Sequence, residues 1–137
     1  MARAQRRNVQ PDPLHVTVWK GHTLYSHVVV AEGGRMIFVS GQVPFDREGN
    51  IVGPGDMRAQ LRQVGENVKA ALEAAGASLA DLVKTTTYTT DIVEFFRHTD
   101  LRAEYFGPAL PTSTTVEVRR LARKEFMVEV EAIAMTG

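Results

Sequence analysis

The segment Phe126-Met-Val-Glu-Val-Glu-Ala-Ile-Ala-Met135 is rich in β-branched and apolar residues and reads as a strand. Side chains alternate between the two faces of a strand. One face therefore carries Phe126, Val128, Val130, Ala132 and Ala134, and the other Met127, Glu129, Glu131, Ile133 and Met135. Two glutamates thus share a face with three large apolar side chains. A carboxylate in such a place is partnered, sits at a wet cleft, or has a raised pKa. The raised pKa suits a general acid/base. A salt-bridged or rim glutamate is the competing reading, and the strand alone leaves both open.

Working outward, the chain has 137 residues, the size of one ordinary domain, and 44% hydrophobic content, enough for a real core. Sixteen basic and sixteen acidic residues cancel, so no global field draws nucleic acid, anionic membrane or acidic ligands. The absence of cysteine excludes a thiol nucleophile, a thiolate metal site and disulfides. No apolar run is long enough to span a membrane. The basic start, Met1 to Asn8, lacks the apolar stretch of a signal peptide. A cytoplasmic protein is expected, with residues 1–12 as a flexible tail and 13–137 as a single domain.

His15–Trp19, Leu24–Val30 and Met36–Val43 read as three strands, the last two paired as a hairpin through the turn residues Glu32 to Arg35. Gly41 suggests a bulge or a close approach by backbone or ligand. Asp56 is placed to cap a helix with Leu61, Val64, Val68 and Leu72 on one side. A strand follows over Leu82–Thr90. Asp91 with Glu94 resembles a capping box and opens a second helix running to about Tyr105. Ser113–Val118 and Phe126–Met135 complete the order β-β-β-α-β-α-β-β. Two amphipathic helices can cover one face of this sheet. The face left open invites subunit association.

There is no phosphate-binding glycine loop, no G-x-G-x-x-G, no nucleophile elbow and no H-E-x-x-H among His15, His22, His27 and His98. No metal and no cofactor are expected. Trp19 is most simply a packing residue, with pocket lining as the alternative.

Four segments together resemble the reactive intermediate deaminase family, the RidA or YjgF-type proteins. They are Phe38-Val-Ser-Gly-Gln-Val-Pro44; Gln60, Gln63, Asn67, Leu72 and Ala74-Ala75-Gly76; Leu82-Val-Lys-Thr85 leading to Thr90-Asp91; and Pro111, Thr114, Val116-Glu117-Val118 and Leu121 followed by Val128-Glu-Val-Glu-Ala-Ile-Ala134. The resemblance implies an α+β, chorismate-mutase-like fold: a mixed sheet with two helices on one face, in a homotrimer whose sheets form a central barrel. It also implies small-molecule pockets between subunits, where an imine or enamine acid is hydrolysed to a keto acid and ammonia without a cofactor.

Carried over residue by residue, the resemblance puts the water-activating glutamate at Glu129 and makes Glu131 structural. Tyr25, Ser40, Gly41, Thr99, Ser113 and Thr115 become substrate-binding positions. All seven are expected to converge at a subunit interface, with Ser113 and Glu129 on the same side of the sheet. One departure stands out. The family pattern Pro-x-Arg-Ser/Thr here reads Pro111-Thr112-Ser113-Thr114, with Ser113 where an arginine would grip a carboxylate. A hydroxyl gives one neutral hydrogen bond in place of a charged fork. The expectation is therefore a neutral or differently charged ligand and weak activity on amino-acid-derived imines. A non-catalytic small-molecule binder is the alternative, and RNA cleavage a third reading that the neutral charge disfavours. Neither membrane nor nucleic acid is expected as a partner.

Overall fold

The computed structural model describes residues 4–137. In chain order the elements are β1 (Gln5–Val9), β2 (Val18–Trp19), β3 (His22–Thr23), β4 (Val28–Glu32), β5 (Arg35–Gln42), α1 (Met57–Ala74), β6 (Leu82–Thr89), α2 (Ile92–Phe96), α3 (Thr99–Phe106), β7 (Thr112–Glu117) and β8 (Val128–Thr136). The main sheet runs β5-β8-β6-β7. Its central strand β8 is antiparallel to both neighbours, while β6 and β7 are parallel. The sheet is therefore mixed, as a parallel pair joined by a helical crossover requires.

The alternation read from the sequence governs the packing. Val128, Val130, Ala132 and Ala134 are buried against one side of the sheet, where α1 brings Leu61, Val64, Val68 and Leu72. Burying each large aliphatic side chain contributes about 1.5–3 kcal/mol. Asp56 caps α1, its Oδ1 accepting from the Ala59 amide at 3.0 Å. Among the described residues, the opposite side of the sheet carries no helix and presents Met36 and Phe38, 57% and 71% exposed. No helix among the described residues is long and apolar enough to cross a membrane.

Three expectations need correction. The hairpin between the second and third strands does not form: β4 pairs antiparallel with β1 instead. The tail expected to be flexible is accordingly a strand over Gln5–Val9, while Met1 to Arg3 lie outside the described residues. Its anchors are polar. Arg6 donates to the carbonyls of Leu82 at 2.8 Å and Ala109 at 2.9 Å. Asn8 Nδ2 donates to Ser26 Oγ and to the Leu110 carbonyl, each at 2.9 Å. Pattern reading sees only exposed polar residues there, because the carbonyls they satisfy come from distant segments. Third, the second helix is two helices. After Phe96 the amides of Arg97 and His98 bond back only three residues, to Glu94 and Phe95. This tighter turn closes α2 before Thr99 starts α3.

Contacts with α1 fix the placement of α3. Arg58 on α1 grips Asp100 with two hydrogen bonds of 3.0 and 2.7 Å, and holds its carboxyl down to a pKa of about 2. Deeper in, the Tyr105 ring lies flat on Gly65, where a Cβ would stand 2.6 Å from the ring. Tyr105 cannot easily swing away, since its hydroxyl donates to Glu66 at 2.7 Å. Gly65→Ala should therefore lose more by overpacking, about 1–3 kcal/mol, than the roughly 1 kcal/mol it gains in helix propensity. Chemical denaturation should show a lower midpoint, and an unchanged or raised midpoint would contradict this packing.

Candidate functional site

On the open side of the sheet the two glutamates of β8 have different surroundings. Glu131 accepts a 2.8 Å hydrogen bond from the Tyr88 hydroxyl, a contact in keeping with a structural role. Glu129 is half-buried and is given no hydrogen bond by the described residues. Burial raises its pKa first, and the neighbouring Glu131 charge raises it further. Its carboxylate lies against Gly41, where any Cβ would overlap Oε2. The β5–β8 register shifts between Val39 and Gln42, so the bulge expected at Gly41 is present. It brings bare backbone to the acid. Ser40 is exposed beside it and helps line a hollow of about 250 Å³ with Phe38, Thr86, Glu131 and Ile133.

A second cleft, about 340 Å³, opens between the β2–β3 segment and the α2–α3 helices. Tyr25, Thr99 and Arg102 supply its polar groups, and Val18, Trp19, Leu24 and Phe96 its apolar walls. Trp19 is thus a pocket residue. The Tyr25 hydroxyl accepts from the Thr17 amide at 3.1 Å. Thr99 Oγ1 donates to the Phe96 carbonyl at 2.6 Å. Arg102 Nη2 donates to Ser113 Oγ at 3.3 Å, so a guanidinium stands beside the position where the resemblance implied one. Burial lowers the Arg102 pKa, and the nearby Tyr25 partly opposes this.

The expected convergence does not occur within one chain. Glu129 is opposite Tyr88, and Tyr88 is opposite Val116, so these three side chains share the open side. Ser113 is three residues from Val116 on a regular strand and must face the other way. Thr115 faces with Ser113. The seven candidate residues therefore fall into two sets: Ser40, Gly41 and Glu129 on the open side, and Tyr25, Thr99, Ser113 and Thr115 on the helix side. The resemblance transfers roles to positions but says nothing of which side of a sheet each occupies. Arg102 was missed by sequence reading. The available signal was its spacing of three residues from Thr99, which makes the two neighbours on one helix surface. Among the described residues, no group of three or more His, Cys, Asp or Glu is placed to hold a metal.

Among the described residues, a mixed four-stranded sheet, helices on one side only, a half-buried carboxylate on the other and a half-buried guanidinium behind the edge strand define a small open-faced α+β protein with two hollows. Residues 20–136 match the family described as Endoribonuclease L-PSP, and the chain belongs to that family; RutC and Rid family proteins are among those it is similar to. A RutC family protein of Pyrococcus horikoshii is 44% identical over 110 residues, 80% of this chain and 85% of that protein. The 2-iminobutanoate/2-iminopropanoate deaminase of Escherichia coli is 40% identical over 105 residues, 74% of this chain and 80% of that one. Among solved structures, a Rid family protein of Yersinia pestis superposes with a TM-score of 0.80 at 30% identity, covering 95% of this chain and 98% of that one. E. coli TdcF with bound serine gives 0.68 at 30% identity, covering 96% and 99%.

The raised pKa of Glu129 has a sign that stability measurements can read. The folded protein holds the proton at a pH where the unfolded chain has released it. Stability therefore falls as pH rises through the window above the ordinary carboxylate value. Glu129→Gln should be more thermally stable than wild type at pH 7, with the difference vanishing near pH 3. Equal stability at both pH values would show that the carboxylate is well solvated.

Proposed function

We propose that the protein hydrolyses a reactive imine or enamine, releasing ammonia, and that Glu129 is the acid/base. The observation that carries this reading is the half-buried Glu129 carboxylate against the bare backbone of Gly41, with Glu131 beside it. The E. coli deaminase, 40% identical, supports the class of reaction. In the step envisaged, a water oxygen adds to the carbon of the protonated C=N bond while Glu129 takes a water proton. Glu129 returns that proton to nitrogen and takes the hydroxyl proton as the C–N bond breaks, so that a carbonyl product and ammonia form and the proton on Glu129 passes to the ammonia. A group with a pKa lifted towards neutrality serves both transfers.

Completion of the pocket requires a second copy, because Ser113 and Glu129 lie on opposite sides of one sheet. The homotrimer implied by the resemblance would bring the open face of one chain to the helix-side cleft of another. Exposed Met36, Phe38 and Val116 on that open face are suited to such burial. Light scattering should give three times the chain mass, and a monomer at micromolar concentration would contradict this assembly. RNA cleavage is less well supported. The chain carries no net charge, and no histidine lines either hollow.

The test of chemistry is ammonia release from an imine generated in situ by an amino-acid oxidase. Glu129→Gln should lower kcat/KM by about 10²–10⁴-fold. The wild-type profile should rise with pH through an acid limb above the ordinary carboxylate value, and that limb should be absent in the variant. Turnover equal to wild type in Glu129→Gln would leave a binding protein in place of a hydrolase.

A further inference from the structure

We propose that Arg102 of α3 is the carboxylate-binding residue of the helix-side cleft, so that the ligand is a small acid with an apolar side chain. The inference rests on reading this cleft as the ligand site of the proposed function, and it names the class of ligand. It replaces the expectation, drawn from Ser113 alone, that the ligand is neutral or differently charged.

The argument begins with charge. Arg102 is largely withdrawn from water, and among the described residues no carboxylate lies within ion-pairing distance of it. Arginines on α1 and just after α2 are treated differently: Arg58, Arg62 and Arg97 each have an acidic partner and are more exposed. A guanidinium carries five N–H donors and no acceptor. Among the described residues, the Arg102 side chain spends one donor, to Ser113 Oγ. A half-buried cation with one neutral partner is an unfavourable arrangement unless something anionic joins it.

The cleft tells what that anion resembles. Among the described residues, Arg102 is the only charged side chain on its lining, and Thr99 and Tyr25 stand beside it. The rest of the wall is Thr17 and the apolar Val18, Trp19, Leu24 and Phe96. A planar carboxylate matches the guanidinium fork with two hydrogen bonds, and an apolar side chain would cover the aromatic wall. The volume, about 340 Å³, suits a molecule of amino-acid size. Ser113 acts as a positioning residue, holding one edge of the guanidinium and leaving the rest of its donors for the ligand.

The experiment separates binding from turnover. Calorimetry on the full-length assembled protein would use 4-methyl-2-oxopentanoate and its neutral amide, 4-methyl-2-oxopentanamide. Wild type should prefer the acid by about tenfold or more, as charged hydrogen bonds exceed neutral ones. Arg102→Met, which keeps the apolar stem, should abolish the preference by weakening acid binding far more than amide binding. It should also melt no lower than wild type, since it removes an uncompensated charge. A structural arginine would give the opposite shift. An independent readout needs no folded Met variant: the Arg102 Nε–Hε resonance, assigned by its loss in Arg102→Lys, should move on addition of the acid and not of the amide. Equal binding of acid and amide by wild type, binding of neither, a preference surviving in Arg102→Met, or a resonance indifferent to the acid would each overturn the proposal. An Arg102-dependent preference in a protein that hydrolyses no imine would keep the clamp and reject the hydrolase. Imine hydrolysis with KM unmoved by Arg102→Met would do the reverse.

Discussion

The period-two alternation of β8 is the constraint on which the rest of the molecule depends. This strand is hydrogen-bonded on both edges, to β5 and β6, so it cannot shift register without turning its whole apolar set to the wrong side. Its start is fixed by a buried side chain. Gln60 on α1 accepts from the Met127 amide at 2.8 Å and donates to the carbonyl of Glu125 at 2.8 Å. Because Val128, Val130, Ala132 and Ala134 must lie under α1, Glu129 and Glu131 have to point away from it. The position of the acid is thus a by-product of building the core.

The same constraint explains why two charges of opposite sign remain apart. Glu129 and Arg102 are both held partly out of water, one with its pKa raised and the other with its pKa lowered by burial. They could relieve each other only by contact, and the sheet lies between them. Charges kept desolvated and unpaired detract from stability. The folded chain tolerates this because its stability comes from elsewhere, from the α1–sheet core and the polar ties around it. Asn67 is one such tie, donating to the carbonyls of Val43 and Phe45 at 3.1 and 3.0 Å and so fixing the loop after Gly41. Preorganised charge of this kind is what an active or binding site requires.

Several residues that carry the family resemblance prove to be scaffolding of this sort. Gln60 and Asn67 tie α1 to the loops around β8 and β5, Gln63 donates to Asn67 within the helix, and Glu131 takes the Tyr88 hydroxyl. Their legibility in the sequence reflects geometry that admits few substitutes. The N-terminal strand was illegible for the opposite reason. Its residues are exposed and polar, and their value lies in which distant carbonyls Arg6 and Asn8 reach. The break at Arg97–His98 was hidden as well, since Phe96, Thr99, Ala103 and Phe106 keep a helical spacing across it.

The sequence by itself determined the strand at Phe126–Met135, its two faces, the α1 core stripe, the cap at Asp56, the bulge at Gly41 and the candidacy of Glu129. These are local properties: spacing, backbone permissiveness and the mismatch of a carboxylate among apolar neighbours can all be read along one segment. Tertiary structure alone decided that β4 pairs with β1, that Ser113 faces away from Glu129, and that Arg102 stands where Ser113 needs a partner. Each of these depends on how separate segments stack across a sheet. A guanidinium on α3 and a hydroxyl on β7 become neighbours only when the crossover lays that helix behind the edge strand.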